Sequence, residues 1–258
     1  MRYSSLCSIA KSIADPIASW ETPAQAIEGI RDLGMASPST LMYFPRVRLR
    51  HATEDPPRAV GGAIAGLLCR LDEEHGAWSR LAESPLGLNR EFLPAFDTDE
   101  EDLQSLVRQG VNVLVKGAAG KARVEGSVTL GRGSEEHGRF ASLHVRRLYL
   151  QVVNAIRNGT RWAVFERDDA RLAERIRSQV TAYLAALANL GAFENERFVV
   201  NCDAGVSRRA DQPEHGVTVL VIFHPVGCSE PVSFTLHQTA AGCRVTSTAF
   251  APAMDDCA

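Results

Sequence analysis

The chain predicts an α/β protein: mixed sheets flanked by helices, ending in a strand-like C-terminal arm. Three observations carry this. Apolar residues recur every three or four positions over 143–159 and 168–190, the period of a one-faced helix. Short aromatic and β-branched runs stand between the helical stretches, with glycines and capping residues as punctuation. After Arg197, strand-like runs follow one another with little further helix to cover them.

With 258 residues the chain makes one large domain or two small ones, burying about 70–75% of the surface its unfolded form exposes. Hydrophobic content of 45% and charged content of 23% are those of an ordinary globular protein. A formal net charge of −3 argues against a general nucleic-acid binder. The pairs Arg146-Arg147 and Arg208-Arg209 are too short to form a basic stripe. No apolar run approaches the ~20 residues that span a bilayer, and the opening MRYSSLCSIAKSIADP has serine and lysine where a signal peptide needs an apolar core. The expectation is a protein made in the cytoplasm with no membrane partner. Six cysteines, at 7, 69, 202, 228, 243 and 257, form no C-x-x-C pair and no zinc pattern with histidine. They read as small buried hydrophobes, with Cys257 loose on the tail.

In chain order, Ile17–Trp20 reads as a short strand. Thr22 opens a helix as N-cap, with Pro23 at the first helical position, Gln25 completing a capping box and Gly34 as its end. Leu41–Phe44 is a strand that continues irregularly through Val47 and Leu49. The glycines at 61, 62 and 66 in AVGGAIAGLLCRLD weaken a lone helix and allow a neighbouring backbone to approach. Ser84–Phe96 has no helical period and reads as a surface loop. Thr98 and Glu101 form a second capping box before a helix that Gly110 terminates. Val111–Val115 is a strand, and Arg123–Leu130 holds one or two more.

The clearest run follows. Ser142 caps a helix with Val145, Leu148, Val152 and Ile156 on its inner face, and Gly159 stops it in the left-handed conformation. Arg161–Glu166 reads as a short buried strand. Asp168 or Asp169 caps a long helix with Leu172, Ile176, Val180, Tyr183, Leu184 and Leu187 inward, and Gly191 ends it. Burying each aliphatic side chain contributes roughly 1.5–3 kcal/mol, so packing holds this helix more than propensity does. Arg197–Cys202 is a strand, and AGVSRRADQPEHG a polar loop. VTVLVIF (217–223) is apolar throughout and reads as a strand covered on both faces. VSFTL (232–236) alternates like a half-buried strand, and Arg244–Phe250 is a last strand before an acidic tail.

No catalytic, cofactor-binding or metal-binding residue emerges. The glycine-rich stretches 61–66 and 131–138 lack the strand, lysine and hydroxyl of a phosphate loop. There is no G-x-S-x-G elbow. The histidines at 51, 75, 137, 144, 215, 224 and 237 show neither H-x-x-x-H nor H-E-x-x-H. No base is marked for Cys7 or Cys202 as a nucleophile.

Five segments in order resemble the contractile tail sheath proteins of phage tails, R-type bacteriocins and related injection systems. They are Leu41–Val47 (LMYFPRV), Val60–Trp78, Leu106–Leu114 (LVRQGVNVL), Val124–Gly131 and the long run from Val145 to Asp203. Within that run the matching pieces are Val145-Arg146-Arg147-Leu148, Val164-Phe165-Glu166, Leu187–Phe193 and Phe198–Asp203. Departures fall at Arg58–Gly62, Val128-Thr129 and Arg167-Asp168. The resemblance implies a sheath core, subtilisin-like in part, over 1–140 and a C-terminal α+β domain with its terminal arm over 141–258. It also places the chain's start near the middle of a typical sheath protein, without the outer domain and much of the N-terminal arm.

The implied function is structural: a sheath subunit that assembles helically around an inner tube through strand exchange and contracts, without enzymatic activity. Its implied partners are other sheath subunits, the inner tube protein and baseplate or terminator proteins, within a virion tail or tail-like particle. Val217, Val219, Val221, Val232, Phe234, Leu236 and Val245 are the candidate subunit-interface residues, and deletion from Val232 onward is expected to leave a folded monomer. Two alternatives stay open: a sheath-associated adaptor or terminator that does not polymerise, and a small cytoplasmic α/β enzyme.

Overall fold

Five consecutive buried residues, Thr40 to Phe44, form strand β2 and divide one core into two halves by their alternation. The structure, a computed structural model, describes residues 12–14, 20, 22–33, 37–52, 54–117, 120–133, 138–166, 170–202 and 216–247. It falls into two compact units, Met1–Arg147 and Leu148–Ala258. In the first, Leu41 and Tyr43 pack with Ile64, Leu67, Leu68 and Leu71 of helix α2 (Gly61–His75). Met42 and Phe44 face Ala26 and Ile30 of helix α1 (Pro23–Leu33) and Leu106 of helix α3 (Glu100–Arg108). Alternation along one strand thus produces helix, sheet and helix layers.

The sheet between them runs β1-β2-β5-β6, with β1 at Ser12–Ala14, β5 at Val111–Lys116 and β6 at Ala122–Glu125. The first three strands are parallel and β6 is antiparallel to β5. A polar tie holds β5. Asn112, 1% exposed, donates its amide to the carbonyls of Met42 (3.2 Å) and Val128 (2.9 Å). Its oxygen accepts from the Val128 N–H at 2.9 Å, so a buried amide is satisfied on both ends.

The cap at Thr22 is as read: Thr22 Oγ1 accepts from the Gln25 N–H and Gln25 Oε1 from the Thr22 N–H. At α3 the cap moves by one residue. Asp99 accepts from the Asp102 N–H at 2.8 Å, and its charge suits the helix N-terminus better than the hydroxyl of Thr98. Gly62 and Gly66 open onto empty space, so no backbone approaches there. The stretch 84–96 is more than a surface loop. Leu86 and Leu88 enter the core, and β3 (Val47–Leu49) pairs with β4 (Phe92–Pro94). Pairing across such a separation leaves no local period to read. Arg123–Leu130 holds one strand, β6, followed by a bridge from Val128 to Ser142 and the start of a 3-10 helix.

Gly110 turns from α3 into β5 at φ +89°, where a Cβ would lie 2.7 Å from the Thr129 carbonyl oxygen. Gly110→Ala is expected to cost about 1–3 kcal/mol in a urea titration, from the left-handed strain and the backbone clash together. A loss below about 0.5 kcal/mol, the size of an ordinary surface change, would refute this.

Helix α4 (Leu143–Gly159) contains the division between units and buries Val145, Leu148, Val152 and Ile156. Gly159 is not left-handed but the last residue of α4. Thr160 ends the helix instead: its N–H donates to the Ile156 carbonyl at 2.9 Å, and its hydroxyl lies 2.8 Å from the same oxygen. The run after it is not a strand but a 3-10 helix, Arg161–Phe165, that buries Ala163. Five residues are too few for periodicity to separate strand from helix. Helix α5 (Ala170–Asn189) buries Leu172, Ile176, Val180, Leu184 and Leu187, with Tyr183 half-buried, and Gly191 ends it at φ +82°.

The second unit's sheet is an antiparallel meander, β10-β9-β8-β7. Its strands are β7 (Phe193–Asn201), β8 (Gly216–Pro225), β9 (Val232–Thr239) and β10 (Gly242–Ser247). β8 is covered on both faces as read, and β9 is too: Ser233 and His237 are buried along with Val232, Phe234 and Leu236. Residues of both faces of β9 are buried, so its alternation marks polarity of the two faces and not exposure of one. The proposed strand at Ile17–Trp20 except Trp20 itself, Gly34, the caps at 168–169, the loop 203–215 and the acidic tail lie outside the described residues.

Candidate assembly surface

Two strands bound the second unit's sheet, and they differ. β7 is bulged: Asn195 and Glu196 take φ of 52° and 54°, and its register against β8 shifts between Phe193 and Phe198. Glu194, Asn195, Glu196 and Arg197 are all exposed there. A bulge and charges blunt an edge against pairing. β10 keeps a continuous register with β9 from Gly242 to Ser247. Among the described residues its other side has no neighbouring strand. Its outward N–H and C=O groups therefore form a regular row open to another strand.

Of the seven candidate interface residues, six are core. Val217, Val219, Val221, Val232, Phe234 and Leu236 are buried within the sheet's own chain. Phe234 takes the Tyr149 ring edge-on, with centroids 5.6 Å apart. Val245 alone lies on the edge strand, half-buried opposite Leu236. The structure gathers all seven in one sheet, and the backbone of β10 is the part of it that faces outward.

A second surface was not legible in the sequence. Trp162 and the outer face of α5 line a shallow groove with Glu174, Arg175, Ser178, Gln179 and Ala182. The Arg175 guanidinium lies 4.5 Å over the Trp162 ring, and Glu174 pairs with Arg177. Phe165, on the same 3-10 helix as Trp162, is 83% exposed. At the other end of α5, Leu190 is 62% exposed. A buried-strand reading of Arg161–Glu166 hid Phe165, since nothing local says which way a five-residue apolar run turns.

Among the described residues the first unit holds one deeply buried arginine. Arg147, 1% exposed, pairs with Asp72, 14% exposed, and donates weakly to the Leu68 carbonyl at 3.5 Å. Burial pulls its pKa down to about 10, against the opposing pull of Tyr43 and Cys69. Burial likewise pushes the Tyr43 hydroxyl well above its usual value. The Arg147–Asp72 ion pair ties α4 to α2. Among the described residues no three His, Cys, Asp or Glu side chains cluster as metal ligands. Cys202 is buried, and burial pushes the Cys243 thiol up and away from reactivity. His237 sits 2.9 Å from the Thr218 hydroxyl inside the sheet. No described helix is long and apolar enough to cross a membrane.

Among the described residues, the exposed features of this mixed α/β fold are a sheet edge and a shallow groove. Residues 135–239 match the family model for the phage tail sheath C-terminal domain, so that part of the chain carries the resemblance read from the sequence. A tail sheath protein of Vibrio phage KVP40 is 29% identical over 151 residues, which cover 56% of this chain and 21% of that protein. The contracted PVC sheath complex of an extracellular contractile injection system superposes with a TM-score of 0.69 at 20% identity, over 83% of this chain and 60% of its own. The contracted helical sheath of the anti-feeding prophage gives 0.66 at 22% identity, over 84% of this chain and 58% of its own. The fold is therefore that of contractile sheath proteins. The chain spans about a fifth of the KVP40 protein's length and under two thirds of the two sheath chains.

Proposed function

We propose that the chain is a structural subunit of a contractile tail sheath, of a phage tail or a tail-derived injection system, that assembles helically through strand addition. The observation that carries this reading is the regular outer edge of β10, on a sheet whose other strands, β7 to β9, lie within the sheath C-terminal domain match. An incoming strand satisfies that backbone row, while the bulged and charged β7 edge turns strands away. The seven residues Val217, Val219, Val221, Val232, Phe234, Leu236 and Val245 then act through the sheet: six hold it rigid from within, and Val245 meets the added strand. In this reading residues 1–140 are a sheath core portion and 141–258 the C-terminal domain. The partners are other sheath subunits, an inner tube and baseplate or terminator proteins. The protein is made in the cytoplasm, becomes part of the assembled particle and performs no catalysis. Contraction rearranges rigid cores about the strand connections.

Electron microscopy with light scattering across a concentration series tests it. Tubes or stacked rings are expected for the unaltered protein. Val245→Pro and Thr246→Pro separate edge from fold, because adjacent residues aim their N–H groups to opposite sides of a strand. The one of the pair that keeps its circular dichroism and melting temperature is expected to lose the polymer. A polymer undiminished in that variant overturns strand addition at β10. A monomer at every concentration for the unaltered protein points instead to a non-polymerising adaptor or terminator.

A further inference from the structure

A single non-closing contact between identical subunits builds only a one-dimensional chain of them; a tube wall needs a second contact of a different kind. That requirement rests on the sheath reading, and strand addition at β10 supplies only the first contact. The second unit has a matched pair of features for the other. One is the groove between Trp162 and Ala182, with Phe165 beside it; the second is Leu190, exposed at the far end of the same helix. From Arg175 to Leu190 the axis rises roughly 20 Å, so no copy can fill its own groove with its own Leu190.

Charge separates the two ends in the same sense. Glu174 and Arg177 pair with each other. Around the groove this leaves Arg161, Arg171 and Arg175 exposed against Glu166 among the described residues. Around Leu190, Glu194, Glu196 and Glu230 are exposed against Arg197. Glu194 accepts from the Gly227 N–H at 3.3 Å, which holds the turn carrying Glu230 at this end. Among the described residues, one end of α5 is thus basic with an aromatic wall and the other acidic with an aliphatic knob. Aromatic and arginine side chains in a desolvated pocket are the usual anchors of such contacts, and complementary charge sets their orientation.

We infer that α5 makes a head-to-tail contact between copies of this chain, in which Leu190 of one copy enters the Trp162–Ala182 groove of the next beside Phe165. The contact is heterologous and does not close on itself, as a helical lattice requires.

Photo-cross-linking of the full chain tests it, with benzoylphenylalanine placed at position 165 and a mixture of light and isotopically heavy protein. The expected product is a mixed-isotope adduct joining residue 165 to the peptide containing Leu190 and Arg197. Phe165→Ser and Leu190→Ser are each expected to raise the concentration needed for assembly about tenfold. The double variant should be little worse than either single one, because both side chains serve one contact. Both residues are exposed, so the melting temperature should hold in all three. If tubes form and the adduct maps to any other peptide, or the two effects multiply, the contact is wrong while the sheath reading survives. If the unaltered protein forms no oligomer at any concentration, self-assembly and this contact fall together.

Discussion

Phe234→Ala is expected to destabilise the second unit by about 3–5 kcal/mol. The ring is fully buried in β9, between β8 and β10, with Tyr149 of α4 packed edge-on against it. Its removal forfeits both the transfer energy of a phenyl group and the contacts of a cavity that a sheet interior cannot collapse to fill. Urea unfolding followed by near-ultraviolet circular dichroism reads this directly, with Val245→Ala on the half-buried edge strand as a control expected to lose far less. Comparable losses in the two variants would contradict the placement of β9 as the central strand. The same geometry corrects an expectation drawn from patterning alone. Deletion from Val232 onward removes β9 as well as β10, and with it Val232, Phe234 and Leu236, so it destroys the sheet instead of releasing a folded monomer. Edge substitutions in β10 are the clean way to separate folding from assembly.

Arg147→Met is expected to be the most damaging change in the first unit. It leaves the Asp72 carboxylate without its partner beside the core of α2, a defect that costs about 3–5 kcal/mol when both charges are deeply buried. Asp72 keeps 14% exposure, so water recovers part of this and the lower end of the range is expected. Arg147→Met combined with Asp72→Leu should regain most of the loss, because a buried ion pair exchanged for apolar side chains is often close to neutral. Equilibrium unfolding of the two single variants and the double variant forms the cycle. If the double variant loses as much as the two singles summed, the pair acts through separate packing roles and not as an ion pair.

What the sequence determined by itself was whatever depends on near neighbours. Helical period placed α4 and α5 and named their buried faces, because residues three and four apart must share a side of a helix. Thr22 and Gln25 cap each other within one turn, and Gly110 and Gly191 end helices where only a residue without a Cβ is at ease. The run VTVLVIF announced its own two-sided burial by having no polar face. The sheath resemblance followed from the order of such segments. Tertiary structure decided everything that depends on a distant partner. Asn112 is an ordinary polar residue until Met42 and Val128 surround it. Arg147 is a surface charge until Asp72 meets it. VSFTL reads as half-buried until both its faces are covered, and Arg161–Phe165 could be a strand until no neighbour pairs with it. The candidate assembly surface belongs to this second class. An edge exists only where a sheet stops, and an exposed Phe165 only where a chain turns outward; both are set by where distant segments come to rest.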